Sequence, residues 1–522
     1  MDHLIGIDVG TGSARAGVFD LGGQLLGTAA QEIALWKGPG NRVEQSSDDI
    51  WQAVCAAVRG AVAASGVAPT SVRGIGFDAT CSLVLLGAGG APLPVDEARN
   101  IIVWMDHRAT EQAERINALG HPVLDYVGGI ISPEMETPKL LWLKENAPAI
   151  YDAAWQFMDL TDFLTWKASG DLARSVCTVT CKWTYLAHED RWDASYFDKV
   201  GLGDLCADDF ARIGSRVVPA GTALGAGLTA EAAAEMGLPA GIPVGAGLID
   251  AHAGGLGTVG TAGDPTADLA YVFGTSSCTM TTTREPAFVP GVWGPYHSAM
   301  VPGMWLNEGG QSAAGAAVDQ LIDHHPFGPE AHRLAAEAGQ SLPAWLADQV
   351  GDRDVLELVA GVHVVPEVLG NRAPHADPHR RAAVLGLGMD RGLESLLALY
   401  LATLCGLGYG LAQIIAAQAA AGADVARIAV SGGAGRHPMI RQILADTTGK
   451  PVIAPETEEP VLLGAAMLGA LAAGVEGSAE DVMRSMSRAG AVSEPNPAAL
   501  TRHQERFALF EALQGLAARA VA

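Results

Sequence analysis

The stretch IGIDVGTGSARAGVFD, residues 5–20, decides the fold. Ile5–Val9 and Ala14–Phe19 read as two strands, and a tight turn at Gly10–Gly12 joins them as a hairpin. Glycine lets a ligand come close to the backbone. Successive N–H groups at such a turn, with the hydroxyls of Thr11 and Ser13, make a cradle for phosphate oxygens. Asp8, at the end of the first strand, then faces the metal that phosphates bring with them. Sixteen residues alone also fit an ordinary surface hairpin, so the rest of the chain must decide.

With 522 residues, the chain exceeds one ordinary core, and two large domains are expected. Hydrophobic residues make up 49% and charged residues 17%, the balance of a well-packed globular protein. A net charge of −25 argues against nucleic acid and anionic membranes as partners. An anionic ligand must therefore be held locally, by backbone amides, a few basic side chains and a metal. Seven cysteines without a CxxC pair fit reduced thiols, and with no leader evident the expected location is the cytoplasm. Ser395–Ala423 carries no charge and is long enough to cross a bilayer. Its many Ala and Gly residues, with Gln413 and Gln418, read better as a buried interdomain helix.

Strand and helix patterns alternate along the chain, which argues α/β. Helices are expected near 47–64, 108–119, 136–145 and 160–168, and a strand near 72–78. LAYVFGTSSCTMTTT, residues 269–283, then repeats the opening: strand, turn, strand. Gly274-Thr275-Ser276-Ser277 answers Gly10-Thr11-Gly12-Ser13, so the chain reads as a duplicated domain with a cleft between the copies. A third glycine turn, IAVSGGAGRHP from Ile428, sits between a strand and a helix and suits close contact with a nucleotide. There is no GxxxxGK[ST], and Gly255-x-Gly257-x-x-Gly260 follows a helix pattern and not the strand that a dinucleotide site requires.

Taken together, the motifs GIDVGTGSARAGVFD, IIVWMDHRA, LTDFLTWKASGD, PVGAGLIDAHAGGLG, FGTSS, NEGGQSAAGA and SGGAGRHPMIRQILADTTGKPV resemble the FGGY family of carbohydrate kinases over nearly the whole length. The resemblance implies two duplicated actin-like ATPase (ribonuclease H-like) domains, residues 1–256 for the sugar and 257–522 for the nucleotide, around a central cleft. It also implies phosphorylation of a sugar hydroxyl, with ATP and Mg2+ as cofactors. ATCSLV, residues 79–84, is similar to the D-ribulokinase branch; Cys81 and Ser82 depart from the pairs found in glycerol and xylulose kinases. The expected substrate is a pentulose, D-ribulose first, with L-ribulose or ribitol as the alternative. A non-catalytic ATP-binding protein is a third reading, and a homodimer is left open.

Residue by residue, the resemblance makes Asp250 the general base, at a point where a strand gives way to a helix; the same Asp would also serve as a plain helix cap. Asp8 holds the metal. Gly10, Thr11, Ser13 and Arg15 meet the transferring phosphate, with Arg15 offsetting developing charge. Cys81, Ser82, Trp104, Asp106, Lys182 and Glu308 contact the sugar together with Asp250. Gly274, Thr275, Gly315, Asp319, Gly432, Gly433 and His437 line the nucleotide site. The pair His324-His325 lacks partners at metal spacing and reads as a helix end.

Overall fold

The computed structural model describes residues 1–260, 264–433, 435 and 437–521. Ala434 and Arg436 of the third glycine turn lie outside these. The opening stretch forms the hairpin that its pattern predicts: His3–Val9 and Ser13–Asp20 pair antiparallel, with Asp8 opposite Arg15. Strand His3–Val9 is buried along its whole length, as its nearly unbroken apolar run requires of a strand with both faces covered.

Two sheets repeat one plan. In the first, Leu248–Ile249, Val72–Ala79, His3–Val9, Ser13–Asp20 and Leu25–Glu32 lie side by side. His3–Val9 runs parallel to Val72–Ala79, which runs parallel to Leu248–Ile249, while the opening hairpin and Leu25–Glu32 are antiparallel. In the second sheet, Asp268–Phe273 runs parallel to Arg427–Ser431, itself parallel to Val452–Pro455. On its other side follow Ser277–Thr283 and Trp305–Gln311, each antiparallel to its neighbour. Trp293–His297 and Ala489–Ser493 extend this sheet to seven strands. The duplication read from two glycine turns is thus a duplication of sheet topology.

Between the sheets lie the helices Asp250–Leu256 and Pro460–Ala472. The second packs on the first sheet through glycines. A Cβ on Gly6 would stand 2.0 Å from the Leu462 carbonyl oxygen, one on Gly76 1.9 Å from that of Ala465, and one on Gly74 2.1 Å from that of Gly469. A single apolar core runs through this layer, from Leu4 by way of Ala253, Leu256 and Leu462 to Ala270 and Met280. Because strand side chains alternate, Asp8 shares the face of Leu4 and Gly6 and so points to the space between the halves.

The uncharged stretch forms the helix Leu393–Ala420, which is long and apolar enough to cross a membrane but mostly buried. It is not interdomain. It packs against Pro438–Thr448, Gly315–His324 and His363–Val365, inside the core on the outer face of the second sheet. The correction has a simple cause: a helix apolar on every side is buried, but its sequence does not say between what. His324 closes its helix, as read.

Candidate active site

Two cavities meet at the turn of the second hairpin. One, of about 570 Å³, lies in the cleft between the halves; the other, of about 360 Å³, lies on the second half. Gly274 and Thr275 line the second cavity and Ser276 the first, so one three-residue turn forms the wall between them. The turn is braced by the helix Gly315–His324: the N–H groups of Ala314 and Ala316 donate to the Thr275 carbonyl, and that of Gly315 to the Gly274 carbonyl.

Asp8, Gly10, Thr11, Ser13, Arg15, Cys81, Trp104, Lys182, Asp250 and Glu308 all line the cleft cavity. Asp250 follows strand Leu248–Ile249 as the first residue of its helix, and its Oδ1 accepts from the Ala251 N–H at 2.8 Å. It therefore makes a capping-type contact and also faces the cleft. Burial, then the charge of Asp8, raises its pKa to about 6. Asp8 accepts from Arg15 Nε at 2.9 Å, while Arg15 Nη1 donates to Glu459 Oε2 at 2.8 Å, across from the second half of the chain. Asp78 stands in register with Asp8 on the neighbouring strand, fully buried. Burial first, then Asp8, pushes its pKa well up. Carboxylates gathered here with the Arg15 guanidinium as cation call for a further positive charge or a proton, and an oxygen-rich set of this kind fits a hydrated divalent cation.

Next to the same hairpin, Trp104 Nε1 donates to Thr11 Oγ1 at 3.0 Å, tying the ring to the turn. The Lys182 ammonium sits 5.4 Å from the Trp293 ring centre, and the Arg372 guanidinium 5.6 Å from it. Trp293 is the cross-strand neighbour of Glu308. Burial opposes the charge of Lys182, but the nearby Glu308 carboxylate holds its pKa well above ordinary. Burial likewise opposes the charge of Glu308; the hydrogen bond and charge of His252, with Lys182 and Arg372, bring it down to about 2. The Cys81 thiol is raised by burial and stays neutral.

Two residues expected at the sugar do not reach the cavity. Asp106 is fully buried, and its carboxylate is taken up by Arg108 (2.8 and 2.7 Å), the Arg108 N–H (2.9 Å) and the Val43 N–H (2.6 Å). Ser82 is also buried; its hydroxyl accepts from the Trp104 N–H at 3.2 Å and supports that residue from behind. On the nucleotide side, Gly274, Thr275, Gly315, Asp319, Gly433 and His437 line the second cavity. Gly432 does not. Its φ is +91°, and a Cβ there would lie 2.3 Å from the Phe273 carbonyl oxygen, so it shapes the turn that presents Gly433. The His437 ring caps the next helix by accepting from the Met439 N–H at 3.2 Å.

With this geometry in view, comparison with known proteins decides the family. The N-terminal domain of the FGGY family of carbohydrate kinases matches residues 3–257, and its C-terminal domain matches residues 269–473. The chain belongs to the FGGY family of carbohydrate kinases. It is 46% identical to the human FGGY carbohydrate kinase domain-containing protein, over 97% of this chain and 95% of that one. To the D-ribulokinase of Saccharomyces cerevisiae it is 38% identical, over 90% of this chain and 71% of the other. Its fold matches the ligand-bound xylulose kinase of Lactobacillus acidophilus with a TM-score of 0.83 at 18% identity, covering 100% and 99% of the two chains. The chain is thus an ATP-using sugar kinase of two α/β domains, as its motifs implied.

Sequence reading of this FGGY chain missed Glu134, Trp293 and Arg372, which line the cleft, and Asp78 and His252 behind it. Asp78 sits inside an apolar strand run, where a lone acid signals a site. Arg372 lies in the turn-rich GNRAPHADP, whose composition says loop and nothing about where the loop goes.

Proposed function

We propose that this kinase phosphorylates a pentulose, with D-ribulose as the preferred acceptor, and that Asp250 is its general base. The observation that carries the reading is the grouping of Lys182, Glu308 and Trp104 in the same cavity as Asp250. Lys182 offers donors to a carbonyl or hydroxyl oxygen, and Glu308 accepts from hydroxyl groups. Trp104 gives an apolar face to sugar carbons. Identity to a D-ribulokinase over most of this chain supports the same choice. Cys81 and Ser82, which depart from the residue pairs of glycerol and xylulose kinases, weigh against those two substrates.

In the reaction, Asp250 takes the proton of the acceptor hydroxyl as that oxygen bonds to the γ-phosphorus, and the bond from phosphorus to the ADP oxygen breaks. ATP fits the second cavity, with its phosphates running past the Gly274–Ser276 turn toward Asp8 and Asp250. Thr11, Ser13 and Arg15 stand where they meet the transferring group. Asp8 would hold Mg2+, which when bound supplies positive charge to the phosphate oxygens. Closing the cleft excludes water, which would otherwise accept the phosphoryl group.

A coupled ADP-release assay across D-ribulose, L-ribulose, D-xylulose, ribitol, L-fuculose and glycerol tests the assignment. D-ribulose is expected to give the highest kcat/KM, because a polar site rejects an acceptor that misplaces a hydroxyl. Glycerol or D-xylulose in first place refutes it.

A further inference from the structure

His252 lies two residues past Asp250 on the same helix, fully buried, with both ring nitrogens engaged. Nδ1 is 3.1 Å from Cys177 Sγ, and Nε2 is 3.3 Å from Glu308 Oε2. These three groups come from three elements: Cys177 from the helix Val176–Trp183, His252 from the helix between the sheets, and Glu308 from a strand of the second sheet. The Ile249 N–H also donates to the Cys177 sulfur, at 3.4 Å. The chain Cys177–His252–Glu308 therefore begins in the first half and ends on a carboxylate that faces the cleft. We propose that His252 is a positioning residue: its Nε2–H fixes Glu308 as an ionised, acceptor-only group in the sugar cavity, and Cys177 fixes the ring. The inference rests on the reading of that cavity as the acceptor site.

The chemistry of the ring supports this in either protonation state. A neutral ring that accepts the Cys177 S–H at Nδ1 carries its proton on Nε2; a charged ring paired with a Cys177 thiolate does so as well. In both cases Glu308 Oε2 receives a hydrogen bond. Burial alone would raise a carboxyl group at this position, and a protonated Glu308 would turn one acceptor into a donor. Burial opposes the charge on His252, yet Cys177 and Glu308 lift its pKa to about 10. Cys177 itself is drawn down by Cys181 and His252 against the effect of burial. The other charged groups around Glu308 are Lys182 and Arg372, and the thiols of Cys181 and Cys278 and the Tyr296 hydroxyl, all pushed up and kept neutral by burial, also face it.

One alternative uses the same atoms. Cys177 Sγ, Cys181 Sγ and a His252 nitrogen lie within 4.8 Å of one another, a set that would also grip a thiophilic ion. In that case a metal, and not Cys177, would anchor the ring.

The test compares His252→Leu, which has no donor, with His252→Gln, whose amide keeps one near the Nε2 position. ATP binding by calorimetry checks that both variants fold. His252→Leu is expected to raise the pentulose KM about 10- to 100-fold, the effect of one charged hydrogen bond, with kcat within about threefold of wild type. The acid limb of log kcat/KM against pH should steepen from slope one, set by Asp250 alone, to slope two as Glu308 begins to titrate. His252→Gln should return most of the KM and restore slope one. An unchanged KM and slope in His252→Leu overturns the proposal, as does an equal loss in both variants with the slope kept at one. Zinc at one equivalent per chain in the isolated protein overturns Cys177 as the anchor. Should His252→Leu fail to fold, Cys177→Ala is expected to show a smaller KM rise with the same steepening, and no change there refutes the relay. If wild type turns over no pentulose, the acceptor reading fails by itself, and the slope measured with the acceptor that is used still decides the role of His252.

Discussion

Replacing Asp250 by Asn should cost activity and add stability, and the structure sets the size of both effects. The carboxyl group has an ordinary pKa of 3.8 and is raised to about 6 in the folded chain, by burial and then by Asp8. The native state therefore holds this proton more tightly than the unfolded one. Ionising the group costs native stability in full above pH 6, less between 6 and 3.8, and nothing below. The gap of about two units is worth roughly 3 kcal/mol at neutral pH, reduced toward about 1 because the side chain keeps a face to the open cleft. Asp250→Asn removes this penalty, so the ligand-free variant should be about 1–3 kcal/mol more stable at pH 7.5 and gain roughly half as much at pH 5. Its kcat should fall at least ~100-fold, the low end for a general base. Wild-type kcat/KM should drop about tenfold from pH 7 to pH 5, as the base takes up its proton. Denaturant titration at pH 7.5 and 5, with ADP release at pH 7 and 5, measures all three effects. A variant that keeps more than a tenth of its turnover, or one less stable than wild type, refutes the reasoning.

Other expectations follow from the same geometry. Trp293→Leu removes the ring beside Lys182 and Arg372 and should raise the pentulose KM about tenfold while leaving the ATP KM unchanged, as initial-rate kinetics will show. Trp104→Phe should reduce the change in tryptophan fluorescence that pentulose binding causes, with binding retained by calorimetry, and the remainder should come from Trp293, which lines the same cavity. Gly76→Ala would force a Cβ to within 1.9 Å of the Ala465 carbonyl oxygen and should destabilise by about 3 kcal/mol or more, beyond ordinary overpacking, in a melting experiment. Gly12→Ala meets nothing within 4 Å and should leave stability within about 1 kcal/mol of wild type. Chelation by EDTA should stop turnover, and added Mg2+ should restore it.

The sequence was most legible where one strand, one turn and one acid follow each other. Asp8, Thr11, Ser13 and Asp250 are placed by strand ends, and a strand end points where the alternation of the strand says it must. Lys182 and Glu308 were found through their motifs, since neither helix pattern nor strand pattern says that a lysine at position 182 faces a cleft. Asp106 shows the limit of that route. The motif VWMDHR contains both the residue that lines the cavity and the arginine that pulls the neighbouring carboxylate away from it, and only tertiary packing tells them apart. Trp293 and Arg372 were illegible for a related reason: they reach the site across a sheet edge and along a loop, and no local period records such a path.

The helix Pro460–Ala472 covers the inner face of a sheet whose strand Val72–Ala79 is made far earlier in the chain. About 380 residues separate the two, which at roughly 5–20 residues per second is about 20–75 seconds of synthesis. Through that interval, the glycine-lined face lacks the helix whose backbone its glycines admit. The first half therefore cannot finish folding as it leaves the ribosome, however well formed its hairpin is. Nascent chains halted before residue 460 should stay protease-sensitive along the first sheet, and those released past residue 472 should become resistant.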